Sequence, residues 1–242
     1  PACPLGFDNG EFAVQTCFQG RFGEEVGNDE FGAAIMIHPK EPGTESEPSK
    51  AVAKISHLEM NYVGQAYRLG RYPFHFHITG YNPESYFEGG VIHQAFNRAF
   101  VVHHTDNIRF ENNVVYNVMG GAIFIENGIE RNNEIIYNFA MFVKSSQALM
   151  NDDITPATIW VTHPGNRISH NHVGGSTHFG IWYRIRSHPE ATSFTTSICS
   201  DHAELGEFYN NTVHSTGWFG LWVFENYFPH EKGHNCDKST VK

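Results

Sequence analysis

A short pattern recurs along this chain and restricts its fold more than any other feature. Runs ending in Phe87-Glu88-Gly89-Gly90, Phe110-Glu111-Asn112-Asn113, Ile135-Ile136-Tyr137-Asn138, Ile168-Ser169-His170-Asn171 and Phe208-Tyr209-Asn210-Asn211 place an apolar residue three positions before an Asn, Gly90 standing in the first copy. Two positions further on sits another small or apolar residue: Ile92, Val115, Ala140, Val173 and Val213. Nine residues after Gly90, Asn113, Asn171 and Asn211 an alternating segment begins, at Ala99, Ala122, Gly180 and Gly220. After Asn138 the equivalent start is Thr158, which implies an eleven-residue insertion. Within these segments Phe100/Val102, Ile123/Ile125, Ile159/Val161, Ile181/Tyr183 and Leu221/Val223 share one parity, as in a strand with one face in a core. Phe74/Phe76 supplies a further copy upstream.

Along the line Phe76, Val102, Ile125, Val161, Tyr183, Val223 the copies lie 26, 23, 36, 22 and 40 residues apart. A step of about 23 residues with variable insertions is that of an all-β, right-handed parallel β-helix of the pectin-lyase-like kind, whose coils stack roughly 4.8 Å apart. The repeated Asn then forms an internal ladder at a tight turn. A leucine-rich repeat needs Leu at fixed positions and a helix per repeat, and a propeller needs four strands per blade; neither pattern is present. Residues 1–50 read as an N-terminal capping segment ending in a first strand at Ala34-Ile35-Met36-Ile37-His38 and a polar loop, residues 51–227 as the coils, and 228–242 as a tail or cap.

Only 17% of the residues are charged and the formal net charge is -10, which disfavours nucleic acid as a partner. No apolar run is long enough to insert in a membrane, and Pro1-Ala2-Cys3-Pro4 does not open a signal peptide, so an internal or processed segment is expected. Cys3, Cys17, Cys199 and Cys236 lie towards the two ends without a C-x-x-C pair. End-stapling disulfides, Cys3 with Cys17 and Cys199 with Cys236, suit an extracellular protein; buried free thiols are the other reading.

Neighbours of the inward residues must point outward. One outward row reads His75, Val101, Phe124, Trp160, Trp182, Trp222, and the next reads His77, His103, Glu126, Thr162, Arg184, Phe224, with His38 a coil upstream. Three readings of the His/Glu cluster stay open. His75, His77, His103 and Glu126 could ligate a divalent metal ion. His77, His103 and Glu126 could act as acid and base on a polysaccharide. They could also form a hydrogen-bonded ladder under a loop. Glycosidic hydrolysis wants two carboxylates, and only Glu126 is well placed; Asp152 and Asp153 fall in the inserted loop. Trp160, Trp182 and Trp222, with Arg184 alongside, form either a platform for sugar rings or, beneath a loop such as 185–205, a second core. Asn210-Asn211-Thr212 is an N-glycosylation acceptor, with Asn210 facing away from the ladder.

The segments from Gln15 to Glu25, from Gly64 to His77, from Asn151 to Ala157 and from Leu205 to Ser215 resemble fibrocystin-L-like proteins over most of the chain. The Leu69-to-His77 stretch is also similar to the CEMIP hyaluronan-depolymerising family. The first resemblance implies a non-catalytic module of a large cell-surface glycoprotein, an ectodomain fragment that packs against a glycan or other extracellular protein modules. The second implies a polysaccharide-degrading enzyme.

Overall fold

A computed structural model describes residues 30–66, 68–146, 151–229 and Cys236. Each turn of the chain lays down three strands. The first coil is β1 (Ile35–Ile37), β2 (Lys54–Ser56) and β3 (Glu59–Asn61); the second is β4 (Phe74–Tyr81), β5 (Tyr86–Glu88) and β6 (Val91–Ala95). The third is β7 (Phe100–Asp106), β8 (Arg109–Glu111) and β9 (Val114–Met119); the fourth is β10 (Ile123–Ile125), β11 (Glu134–Ile136) and β12 (Phe139–Lys144). The fifth is β13 (Ala157–Val161), β14 (Arg167–Ser169) and β15 (His172–Gly174); the sixth is β16 (Phe179–Ile185), β17 (Phe208–Tyr209) and β18 (Thr212–His214), and β19 (Phe219–Glu225) follows. Equivalent strands pair in parallel into a first sheet of 7 strands and second and third sheets of 6 each. This is the right-handed parallel β-helix that the repeat implies.

The registers reproduce the inward rows. Phe76 lies beside Val102, Val102 beside Ile125, Val161 beside Tyr183, and Tyr183 beside Val223. Ile55, Phe87, Phe110, Ile135, Ile168 and Phe208 form the matching row of the second sheet, and Met60, Ile92, Val115, Ala140, Val173 and Val213 that of the third. In the early coils this interior is aromatic, with Phe74 stacked on Phe100 at 5.7 Å and Phe100 against Phe110 at 4.0 Å. Leu221 and Val223 keep the inward parity but are each 47% exposed, because no described strand stacks beyond β19.

The corner between the second and third sheets is the same in every coil. His57, Gly89, Asn112, Tyr137, His170 and Asn210 occupy it with positive φ, and from the second coil on the next residue is the ladder position. Asn113 Nδ2 donates to Asn138 Oδ1 (3.1 Å), Asn138 Nδ2 to Asn171 Oδ1 (3.0 Å), and Asn171 Nδ2 to Asn211 Oδ1 (3.0 Å). Each amide therefore satisfies backbone groups that a tight turn would leave unpaired. Tyr137 and His170 bear a left-handed backbone that bulky residues disfavour, and their rings stack at 4.5 Å on the surface. A shorter second ladder at another corner escapes the sequence pattern: Asn166 Oδ1 accepts from Asn133 N (3.0 Å) and Asn133 Oδ1 from Ile108 N (3.0 Å).

Cys199 and Cys236 form a disulfide with Cα atoms 5.2 Å apart. The expected Cys3–Cys17 pair lies outside the described residues. Among the described residues no helix is long and apolar enough to cross a membrane.

Candidate functional site

The outward face of the first sheet is the face that loops cover. Phe124 and Trp160 extend into a small outer core with Tyr72, Val101, Ala157 and Phe179, against which Trp182 and Trp222 pack half-buried. Of the two readings of the Trp row, the second core holds for Trp160, and a flat strip of Trp rings is interrupted there. Trp160 is 1% exposed and meets Trp182 edge-on (4.7 Å, 62°), while Trp182 and Trp222 stack face to face (5.3 Å, 12°). Loops bury Trp160 because three indoles in open water would form a large apolar patch. Arg184, expected to be available to a ligand, is instead ion-paired with Glu190 from the covering loop and lies over the Trp160 ring at 5.4 Å.

A cavity of about 490 Å³ opens between this outer core and the covering loop. Its polar side is built by outward residues within β4 and β7 and by the residue after β10. Parallel register puts His77 beside His103, and the i, i+2 spacing puts His75 on the same face. One ring nitrogen from each of His75, His77 and His103 lies within 4.8 Å of the others. His77 Nδ1 and His103 Nδ1 are 3.1 Å apart, and Glu126 Oε2 is 3.8 Å from His103 Nδ1. His38, one coil upstream, donates from Nδ1 to the His77 carbonyl at 2.9 Å.

Burial is the main electrostatic influence on these rings, and their mutual repulsion reinforces it. Burial, with His77 and His103 nearby, holds His75 well below the usual imidazole range. Burial and His38 lower His77, and burial with His77 and His104 lowers His103 to about 4. At neutral pH all three are uncharged, with lone pairs able to act as base or ligand.

Groups the repeat pattern did not predict complete the site. Arg98, 1% exposed, donates through Nε to Asp153 Oδ1 at 2.6 Å and covers the Phe124 ring at 3.7 Å. Asp153 is thus held by Arg98 rather than placed beside Glu126, and the Asp152 side chain lies outside the described residues. Asn127 Nδ2 (2.8 Å) and Thr192 Oγ1 (3.3 Å) both reach His103 Nε2. Glu190 is a second carboxylate lining the cavity. Thr192 and Glu190 come from a loop whose far end is tied by the Cys199–Cys236 bond.

The comparisons with known proteins agree with this architecture. Over all 242 residues the chain is 53% identical to fibrocystin-L of Homo sapiens and 52% identical to that of Mus musculus, spanning 6% of each protein's length. It is 29% identical over 228 residues to the cell surface hyaluronidase CEMIP2 of Homo sapiens, covering 81% of this chain and 16% of that protein. It is 29% identical over 204 residues to the cell migration-inducing and hyaluronan-binding protein of Mus musculus, covering 71% of this chain and 15% of that protein. The model of the CEMIP beta-helix matches residues 30–221, every coil described above, and the chain belongs to that family.

Proposed function

We propose that this chain is a glycan-binding module of a large extracellular or cell-surface protein, with the ligand seated in the cavity over the first sheet. One observation carries the reading: the cavity joins a polar side of imidazoles and Glu126 to an aromatic side of Phe124 and Trp160, under a disulfide-tied loop. Sugar rings need both kinds of surface, apolar faces for their C–H groups and directed polar groups for their hydroxyls. Relatives named for hyaluronan binding and hyaluronidase activity support a polysaccharide ligand. With Trp160 buried, Trp182 and Trp222 are the rings left to extend contact along the axis. Glu126 opposes a ligand carboxylate, and Arg184 can receive one only by exchanging Glu190, so neutral or mildly acidic glycans fit best. Asn210, exposed at its corner, serves as the N-glycan acceptor.

Titration of hyaluronan oligosaccharides and a neutral glucan, followed by Trp fluorescence, tests this reading. Binding that weakens about tenfold in Trp182→Ala, with an unchanged circular dichroism spectrum, supports it. Binding to neither glycan, or binding indifferent to both Trp182→Ala and Glu126→Gln, refutes it. Cleavage is the second reading, favoured by neutral His103 beside Glu126 and by Glu190 as a second carboxylate. Product sizing after incubation with hyaluronan decides it: shortening that Glu126→Gln abolishes establishes an enzyme.

A further inference from the structure

We propose that His75, His77 and His103 together hold one divalent transition-metal ion, with Glu126 as the carboxylate at its fourth position. The inference is independent of whether the cavity takes a glycan. Three outward positions on two adjacent strands converge: His77 and His103 through register, His75 through the two-residue repeat of β4. A tetrahedral zinc ion with Zn–N bonds of about 2.0–2.1 Å separates its nitrogens by about 3.4 Å. The 3.1 Å between His77 Nδ1 and His103 Nδ1 already suits that ion. The three imidazole ligand atoms lie within 4.8 Å of one another, so a movement of at most about 1.5 Å closes that trio, and Glu126, 3.8 Å from His103 Nδ1, completes the set by turning its carboxylate inward.

A purely structural histidine ladder does not account for the same atoms. The His75 ring is only 2% exposed, and among the described residues the one polar group that approaches it apart from the other imidazoles and Arg98 is the Gly70 backbone, without good hydrogen-bond geometry at either nitrogen. Even if the Gly70 backbone takes one ring nitrogen, the other is left buried against two further imidazoles, the arrangement a shared ion would resolve. The surroundings also meet the demands that metal ligands make of their neighbours. If His103 binds through Nδ1, its proton moves to Nε2, which needs an acceptor to fix the ring. Thr192 Oγ1 stands 3.3 Å away, and Asn127 at 2.8 Å offers its oxygen once the amide turns over. Three imidazoles and one carboxylate select zinc, cobalt or nickel over calcium or magnesium, which require oxygen ligands.

The test uses chelator-treated whole chain and zinc chloride in calorimetry, with calcium chloride as a control and no glycan present. One zinc per chain, no heat with calcium, and at least a hundredfold weaker zinc binding in His77→Ala are expected. His77 is partly exposed, so that variant should fold; its thermal transition without metal is recorded to show it. The exposed pair His172 and His214, with Nε2 atoms 2.9 Å apart, is a competing place for zinc, and His214→Ala addresses it. The proposal is overturned if zinc fails to bind, or if its binding survives His77→Ala and His103→Ala but is lost in His214→Ala. Cobalt-loaded protein gives a second readout, an intense visible spectrum of a four-coordinate centre that the His77→Ala variant must lose.

Discussion

Replacing Asn138 by Ala probes what holds the coils in register. The Asn138 side chain is 2% exposed and makes four hydrogen bonds. It accepts from Asn113 N (3.0 Å) and Asn113 Nδ2 (3.1 Å), and donates to Phe110 O (2.9 Å) and Asn171 Oδ1 (3.0 Å). Alanine leaves two buried donors on Asn113 and the Phe110 carbonyl without these partners, in a turn too tight to admit a replacement. At about 1–2 kcal/mol for each of these three orphaned groups, the expected loss is about 3–6 kcal/mol. Asn211 makes the same kinds of bond, accepting from Asn171 N and Nδ2 and donating to Ile168 O, but it is half-buried at the last rung. Water can replace its contacts, so Asn211→Ala should cost about 1 kcal/mol. Urea denaturation followed by far-ultraviolet circular dichroism measures both, with a midpoint drop of about 1–2 M expected for Asn138→Ala. Fluorescence on the same samples checks whether the solenoid unfolds in one step. Equal losses in the two variants, or a change below about 1 kcal/mol for Asn138→Ala, would refute the view that the ladder is a buried network.

Three further outcomes are expected. Burial raises the Asp106 carboxyl to about 6, with Glu130 and Glu45 adding to the effect and Arg131 opposing it. The unfolded chain releases this proton near pH 4 and the folded chain near 6, so stability falls as pH rises through that window. Asp106→Asn, which keeps an acceptor for Arg131 N, should stabilise the protein by about 1–2 kcal/mol at pH 7 and leave it unchanged at pH 3; equal effects at both pH values would contradict this. Trp160→Ala should cost about 3–5 kcal/mol by thermal unfolding, and Trp182→Ala, at a half-buried ring, distinctly less. Cys199→Ser should cost at most about 3–4 kcal/mol and speed proteolysis between residues 186 and 205; cleavage at the unaltered rate would show that the disulfide does not secure that loop.

The parts of the fold legible in the sequence are those that every coil repeats. Ile135 and Ile168 announce an inward row because register makes equivalent residues neighbours, and Asn113, Asn138, Asn171 and Asn211 announce a ladder because each amide needs another above or below it. The Asn133–Asn166 pair has two members and vanishes among ordinary turn residues. The same reasoning brings His77 and His103 together correctly, since both lie on paired strands. It leaves Trp160 open between a platform and a second core, because burial there depends on loops of no fixed length, and it misses the partner of Arg184, Glu190, which belongs to such a loop. Arg98, Thr192 and Asn127 stand between strands, where no periodicity reaches.

That division has a physical origin in the corners of the solenoid. Between the second and third sheets the chain always turns in two residues, as from Glu88 to Val91, from Glu111 to Val114 and from Ser169 to His172. An extra residue there would displace one amide and break the ladder on both sides of it. The other two corners carry no such continuous ladder and tolerate insertion: Ile37 to Lys54, Lys144 to Ala157 and Ile185 to Phe208 are all long connections. Both of those corners flank the first sheet. Loops can therefore fold over its outer face from either side, while the second and third sheets share a corner that cannot grow. The ladder that fixes the register thus also determines which face can acquire a roofed cavity, and the imidazoles of β4 and β7 lie on that face.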